Sequence, residues 1–337
     1  MAWARVPHRP GVGDDQAGPD GAGKTCASKE GASKEGANAY RGAQTVRGAE
    51  TGAGAGSTGS GSGPARPPAK VNGWGNGRAA LESLEFGSPG GPVLSGSLAR
   101  PNFSAASGSG RHGVVLAHGF PELSQQIGAP SYGYPQLATR LAAETGAVVL
   151  TFDFRGTGSS GGDFSLGGWR ADLSTGIRTL REVPGIEEIW LVGFAAGGTL
   201  SICAAAEDPS VAGVAALAPP AEFADRSSDP RRLVAQARAS GLIRTRGYPP
   251  DVGAWARELR QLRPTQLVSK VPPRPLLIVA GASDDVVPLT DARELADAAD
   301  ASAELRVIAG AGHMLLHDPR AIALLLGWFD RHLSAGA

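Results

Sequence analysis

The stretch Ile189-Trp190-Leu191-Val192-Gly193-Phe194-Ala195-Ala196-Gly197-Gly198 decides the fold. Its apolar opening is short and unbroken, which fits a strand covered on both faces. Gly193 and Gly197 then flank a central residue, Ala195. Glycine on both sides of one residue permits a tight turn that side chains would block. Residues 198–206 follow with a helical pattern. Strand, tight turn and helix in succession form one repeating unit of a parallel sheet.

The same unit recurs outward in both directions. Short apolar runs stand at 114–117, 148–152, 211–217, 276–279 and 305–308, with helical patterns at 134–145, 169–181 and 291–299. Residues 81–86 and 93–98 flank a Gly-Pro turn and read as an opening β-hairpin. The last helix starts at Asp318 as N-cap and Pro319 in the first turn, with Ile322, Leu325, Leu326 and Phe329 on one face. Residues 79–337 are therefore expected to form one α/β domain built on a doubly wound, mostly parallel sheet. Residues 222–269 interrupt the alternation. They contain no strand pattern, and 231–239 and 251–262 read as helices, with Trp255, Leu259 and Leu262 on one stripe. A small helical cap insert over the strand ends is expected there.

Residues 1–78 have another character. They are rich in Gly, Ala and Ser, lack apolar periodicity, and repeat Ala-Ser-Lys-Glu-Gly at 27–31 and 32–36. Such a segment cannot bury enough apolar area to offset its ordering entropy, so a disordered N-terminal extension is expected. It contains Gly18-Pro19-Asp20-Gly21-Ala22-Gly23-Lys24-Thr25, a formal phosphate-loop match. A working phosphate loop needs a buried strand before it and a helix after it, and neither pattern is present. The start, residues 1–13, has no apolar core of the kind a secretory signal carries. The 32 basic and 32 acidic side chains cancel, which gives no general electrostatic pull toward nucleic acid or an anionic membrane. No run approaches the length of a membrane span. With only Cys26 and Cys203, a disulfide framework is not expected, and a cytoplasmic, reducing setting is the simpler reading.

The chemistry-bearing motifs lie at strand ends. Gly193-Phe194-Ala195-Ala196-Gly197 has the spacing of the G-x-S-x-G nucleophile elbow, in which the central residue sits on a strained turn. His118-Gly119-Phe120 follows the run at 114–117. Asp153-Phe154-Arg155-Gly156-Thr157-Gly158-Ser159-Ser160 follows the run at 148–152, Gly281-Ala282-Ser283-Asp284-Asp285-Val286-Val287-Pro288 that at 276–279, and Gly310-Ala311-Gly312-His313 that at 305–308. On these motifs residues 81–333 resemble the α/β-hydrolase superfamily, in its serine aminopeptidase-like and related acyl-hydrolase branches. The resemblance implies an α/β-hydrolase fold and a hydrolytic site for a small-molecule ester or peptide substrate. It implies oxyanion donors from the backbone N–H groups of Phe120 and Ala196 on the His118-Gly119 loop and the elbow. It places the acid at Asp284, with Asp285 as rival, and the base at His313. The Asp153–Ser160 loop is then mainly structural. No Cys, His, Asp and Glu cluster has metal-ligand spacing, so no metal and no cofactor are expected. The sequence gives no oligomeric state.

One position departs from the pattern. Ala195 stands where the resemblance requires a serine nucleophile. A methyl group cannot attack a carbonyl, so acyl-enzyme hydrolysis should be very weak. Thr199 and Ser201 on the following helix are expected to point away from the strand ends. Three readings stay open: an alanine introduced in place of a serine, a ligand-binding protein without turnover, and acid–base work by His313 and Asp284 without a covalent step. The pocket is expected at the strand ends, walled by Phe120, Phe194, Ala195 and the insert around Trp255.

Overall fold

The computed structural model describes residues 79–102, 111–121, 133–223 and 229–333. The N-terminal extension, its repeat and its phosphate-loop match lie outside the described residues. Eight strands form one sheet in the order β1-β2-β4-β3-β5-β6-β7-β8. β1 (Ala79–Phe86) and β2 (Leu94–Pro101) are the expected hairpin, and β2 also pairs antiparallel with β4 (Val148–Phe152). From β4 onward every pairing is parallel, through β3 (His112–Ala117), β5 (Glu188–Phe194), β6 (Val211–Leu217), β7 (Leu276–Gly281) and β8 (Ala303–Ile308). All residues of β4 and β7 are buried, as unbroken apolar runs predict for a sheet covered on both faces.

Two apolar layers cover the sheet. One holds α1 (Tyr134–Thr145) and α8 (Pro319–Leu333), with Leu141, Leu325 and Phe329 buried. The other holds α2 (Leu166–Arg181) and α3 (Ala196–Glu207), with Trp169, Leu173, Leu200 and Cys203 buried. Burial pushes the Cys203 thiol up to about 12. Helix α2 starts three residues before the apolar pattern does, because Ser165 caps it by accepting the Gly168 N–H at 2.9 Å.

The insert contributes α4 (Pro230–Ala239), α5 (Val252–Gln261) and the single turn α6 (Pro264–Leu267), ahead of β7 and α7 (Leu289–Ala298). It is fastened to the loop after β4. Phe164 N–H donates to Leu242 O at 2.8 Å. The Arg244 guanidinium donates to the carbonyls of Gly156, Gly158 and Ser160 at 3.1–3.3 Å. Asp163 accepts the N–H groups of Arg244 and Thr245, and although partial burial works against it, these bonds hold its carboxyl below the usual range. Leu233, Ala237, Ile243, Trp255 and Leu259 of the insert are all buried in the same core layer. The insert is thus part of the core.

Candidate active site

The parallel strands deliver their C-terminal ends to one edge of the sheet, and the elbow forms there. Strand β5 ends at Phe194, and α3 begins at Ala196. Ala195 between them has φ 48° and ψ −123°. A side-chain-bearing residue in such a region carries roughly 1–3 kcal/mol of strain, so the surroundings must enforce it. They do so through the backbone: Ala195 N–H donates to Leu217 O at 2.7 Å, and Ala195 O accepts from Gly198 and Thr199.

The flanking glycines follow from the closeness of this turn. A Cβ on Gly193 would lie 2.3 Å from the Gly197 carbonyl oxygen. One on Gly197 would lie 2.4 and 2.5 Å from the carbonyl oxygens of His118 and Ala117. The obstacles are backbone atoms, of the first turn of α3 for Gly193 and of the end of β3 and the residue after it for Gly197, and cannot swing aside. Gly197→Ala is therefore expected to cost about 3 kcal/mol, the upper part of the range for overpacking, because the wall is rigid backbone. A urea melt within 1 kcal/mol of the parent would refute this packing.

The His118 loop presses on the elbow, since a Cβ on Gly119 would lie 2.8 Å from the Ala195 methyl carbon. His118 is buried, and its Nε2 accepts the Phe154 N–H at 3.0 Å. Nδ1 then carries the proton and donates to Gly119 O at 2.6 Å. The ring ties the Gly119–Phe120 turn to the end of β4. Burial lowers its pKa, opposed by the Gly119 carbonyl and the Asp153 charge. Above the unfolded value near 6.5 the ring is neutral in both states and contributes no pH dependence. Below it the unfolded chain gains a proton that the folded chain refuses. Stability should then fall by up to about 1.4 kcal/mol per pH unit for this one group. His332, lowered by partial burial, adds in the same direction. Thermal melts from pH 7.5 to 5 should show the decline, and His118→Gln should flatten it; an unchanged slope in that variant would exclude His118 as the source.

Tyr134 was not anticipated from sequence. It opens α1, packs edge-on against His118 and Phe194, and backs the same loop. Burial pushes its phenol pKa up, and a hydrogen bond with the Gly119 backbone opposes that shift.

On the other side of the elbow, Asp284 follows β7 and His313 follows β8. His313 Nδ1 meets Asp284 Oδ2 at 2.9 Å. Asp284 Oδ1 accepts the N–H groups of Val286 and Val287 at 2.9 and 2.8 Å, and its side chain is only 2% exposed. Both carboxylate oxygens are thus engaged. Asp285 is exposed. Gly281 permits the close approach, since a Cβ there would lie 2.4 Å from Ala311 O in the loop that carries His313.

The hydroxyls of Thr199 and Ser201, on the helix after the elbow, are committed elsewhere. Thr199 Oγ1 donates to Pro220 O at 2.7 Å and Ser201 Oγ to Gly197 O at 2.8 Å. Phe120 packs on Trp169, Phe164 and Phe223. Trp255, expected as a pocket wall, is 4% exposed and donates its indole N–H to Phe164 O at 2.9 Å. Phe164 stands between it and Phe120. Trp255 therefore anchors the insert from behind, where an apolar body with one polar handle is satisfied. In the loop after β4, Arg155 donates through Nε and Nη2 to the Asp172 carboxylate at 2.7–3.0 Å, and Asp153 accepts the Ser159 N–H. Among the described residues no three His, Cys, Asp or Glu side chains converge as metal ligands, and no helix is long and apolar enough to cross a membrane.

A doubly wound sheet with a strained elbow at one strand end, and an Asp–His pair two loops away, defines an α/β-hydrolase-type architecture. The sequence profile of the alpha/beta hydrolase family matches residues 114–323, and the chain belongs to that family. Among solved structures it is similar to an alpha/beta hydrolase from Penicillium sp. sh18, with 22% identity, TM-score 0.57, and coverage of 75% of this chain and 99% of that one. It is similar to the esterase Pf2001 of Pyrococcus furiosus, with 19% identity, TM-score 0.55, and coverage of 79% and 98%. Est1E of Butyrivibrio proteoclasticus, in a structure with ferulic acid bound, gives 19% identity, TM-score 0.56, and coverage of 74% and 98%. No curated protein sequence matches the chain.

Proposed function

We propose that this protein binds a small carbonyl compound at the elbow and acts on it through His313 and Asp284, without an acyl-enzyme. The carrying observation is the finished state of the Asp–His pair. Asp284 spends both oxygens fixing itself and His313 Nδ1, which leaves His313 Nε2 as the working edge of the ring. An imidazole fixed this way can take a proton from water or from a carbon acid beside a carbonyl. The substrate oxygen would rest against the Ala196 and Phe120 N–H groups, where the first turn of α3 also supplies a partial positive charge. Among the described residues no hydroxyl or thiol takes the place of a nucleophile at the elbow, so hydrolysis on this reading would proceed by direct attack of water.

A second reading, binding without turnover, is favoured by one observation. Ala195 at the turn's apex carries only a methyl group, and the hydroxyls of Thr199 and Ser201 are spent on backbone carbonyls. Replacing His313 with alanine separates the two. Under the acid–base reading, turnover of an activated ester or of an exchangeable carbon acid should fall by about 100-fold or more, with ligand affinity changed less than threefold. Equal, uncatalysed rates for parent and variant would leave the binding reading.

A further inference from the structure

The sheet face beneath α1 changes character from one register row to the next. Leu81 on β1, Ala99 on β2 and Val149 on β4 lie side by side, in the apolar layer that α1 covers. Two residues further along, the row is Ser83, Ser97 and Thr151. The row after that begins with Ser95, whose carbonyl accepts the Asp153 N–H at 2.9 Å. Side chains two apart on a strand share a face, so the polar rows continue the apolar one. A sheet face under a helix is ordinarily apolar, because a hydroxyl there gives up water and must find another partner. These two rows, with Ser159, line a cavity of about 140 Å³ that Tyr134 and Pro135 close on the helix side.

Thr151 is 4% exposed, yet its hydroxyl forms no hydrogen bond among the described residues. The four other buried threonines place theirs on backbone carbonyls. Thr139 donates to Pro135 O, Thr157 to Phe154 O, Thr175 to Ala171 O and Thr199 to Pro220 O, at 2.7–2.9 Å. Asp153, 8% exposed, is the one charged residue in the cavity lining. Glu85, the register partner of Ser95, adds a second, exposed carboxylate on the same face. Carboxylate and hydroxyl oxygens together suit a cation that carries its own N–H and O–H groups. An engineered cavity of roughly 150 Å³ holds benzene, so a molecule of about six heavy atoms fits here. We infer that this cavity binds a small hydroxylated ammonium compound, with the ammonium group against Asp153 and the hydroxyls on Ser97 and Thr151. The site is separate from the elbow, since none of Phe120, Ala195 and His313 lines it. Its occupant is therefore independent of the reaction proposed there.

The test uses serinol, the 2-amino analogue of glycerol, with glycerol as its neutral near-isostere, on the full-length protein at neutral pH. Isothermal titration of the parent should give at least about tenfold tighter binding of serinol than of glycerol. Equimolar potassium chloride should not displace it. Thr151→Val keeps the shape of the side chain and removes its oxygen. It should weaken serinol binding by about fivefold or more, with the ligand-free melting temperature moved by less than about 2 °C. Ser97→Ala should weaken serinol by a similar factor. Asp153→Asn should bring serinol and glycerol to equal affinity, and circular dichroism checks that this variant is folded. Absence of serinol binding to the parent at about 50 mM would leave a cavity for water alone and overturn the inference. So would equal affinity for glycerol, displacement by potassium, or a Thr151→Val protein that binds serinol as the parent does.

Discussion

Ala195→Ser is expected to raise hydrolysis of short-chain p-nitrophenyl esters by at least about 1,000-fold over the parent, and to make the protein label with a fluorophosphonate. Under the proposed reading, the elbow, the Asp284–His313 pair and the Gly119–Phe120 loop are the remaining parts of a serine hydrolase site. The elbow holds its torsions through backbone bonds to Leu217, Gly198 and Thr199, so a serine would enter the same conformation. His313 is oriented by Asp284, and the loop at Gly119 lies against the Ala195 methyl. On that reading the serine oxygen supplies the nucleophile, and loss of the nucleophile alone commonly removes nearly all of the rate such a triad supplies. A serine variant that neither labels nor turns over would mean that the oxyanion loop or His313 is displaced from a working position.

The largest stability loss from a single charge should come at Asp172. Its side chain is 3% exposed and accepts from the backbone N–H, Nε and Nη2 of Arg155 at 2.7–3.0 Å. Asp172→Ala would leave a largely buried guanidinium without its anion, a change that typically costs 3–5 kcal/mol. Arg155 O also accepts the Trp169 indole N–H, so the loop after β4 would loosen from α2. Removing both charges together, as Arg155→Met with Asp172→Leu, should cost clearly less than Asp172→Ala alone, because no uncompensated charge remains. Chemical denaturation of the two variants decides it: an Asp172→Ala variant within 1 kcal/mol of the parent, or a double variant that loses as much as Asp172→Ala, would contradict a desolvated pair.

The parts of this molecule that a reader can take from the sequence are those written in local pattern. Continuous apolar runs placed the strands, and the hairpin at 81–98 followed from its turn residues. Gly193 and Gly197 marked the elbow because backbone lies within reach of any Cβ there. The parts that were hidden depend on contacts far apart in the chain. Arg244 reaches carbonyls more than 80 residues away, and no spacing rule announces that. Asp172 left a faint signal, a carboxylate on the same helical face as Trp169, Leu173 and Ile177, which only a buried partner could permit. Trp255 sat on an apolar stripe and was read as a wall of the pocket, since periodicity shows which face is buried and not what covers it.

The conformation of Ala195 has a consequence for how this lineage can change. The positive φ is imposed by the polypeptide around it, so the distortion is maintained whether or not a hydroxyl is there to use it. Alanine and serine codons differ by a single base. The genetic distance between this protein and one carrying a nucleophile is therefore one point mutation, and nothing in the elbow would have to be rebuilt for that step to be taken in either direction.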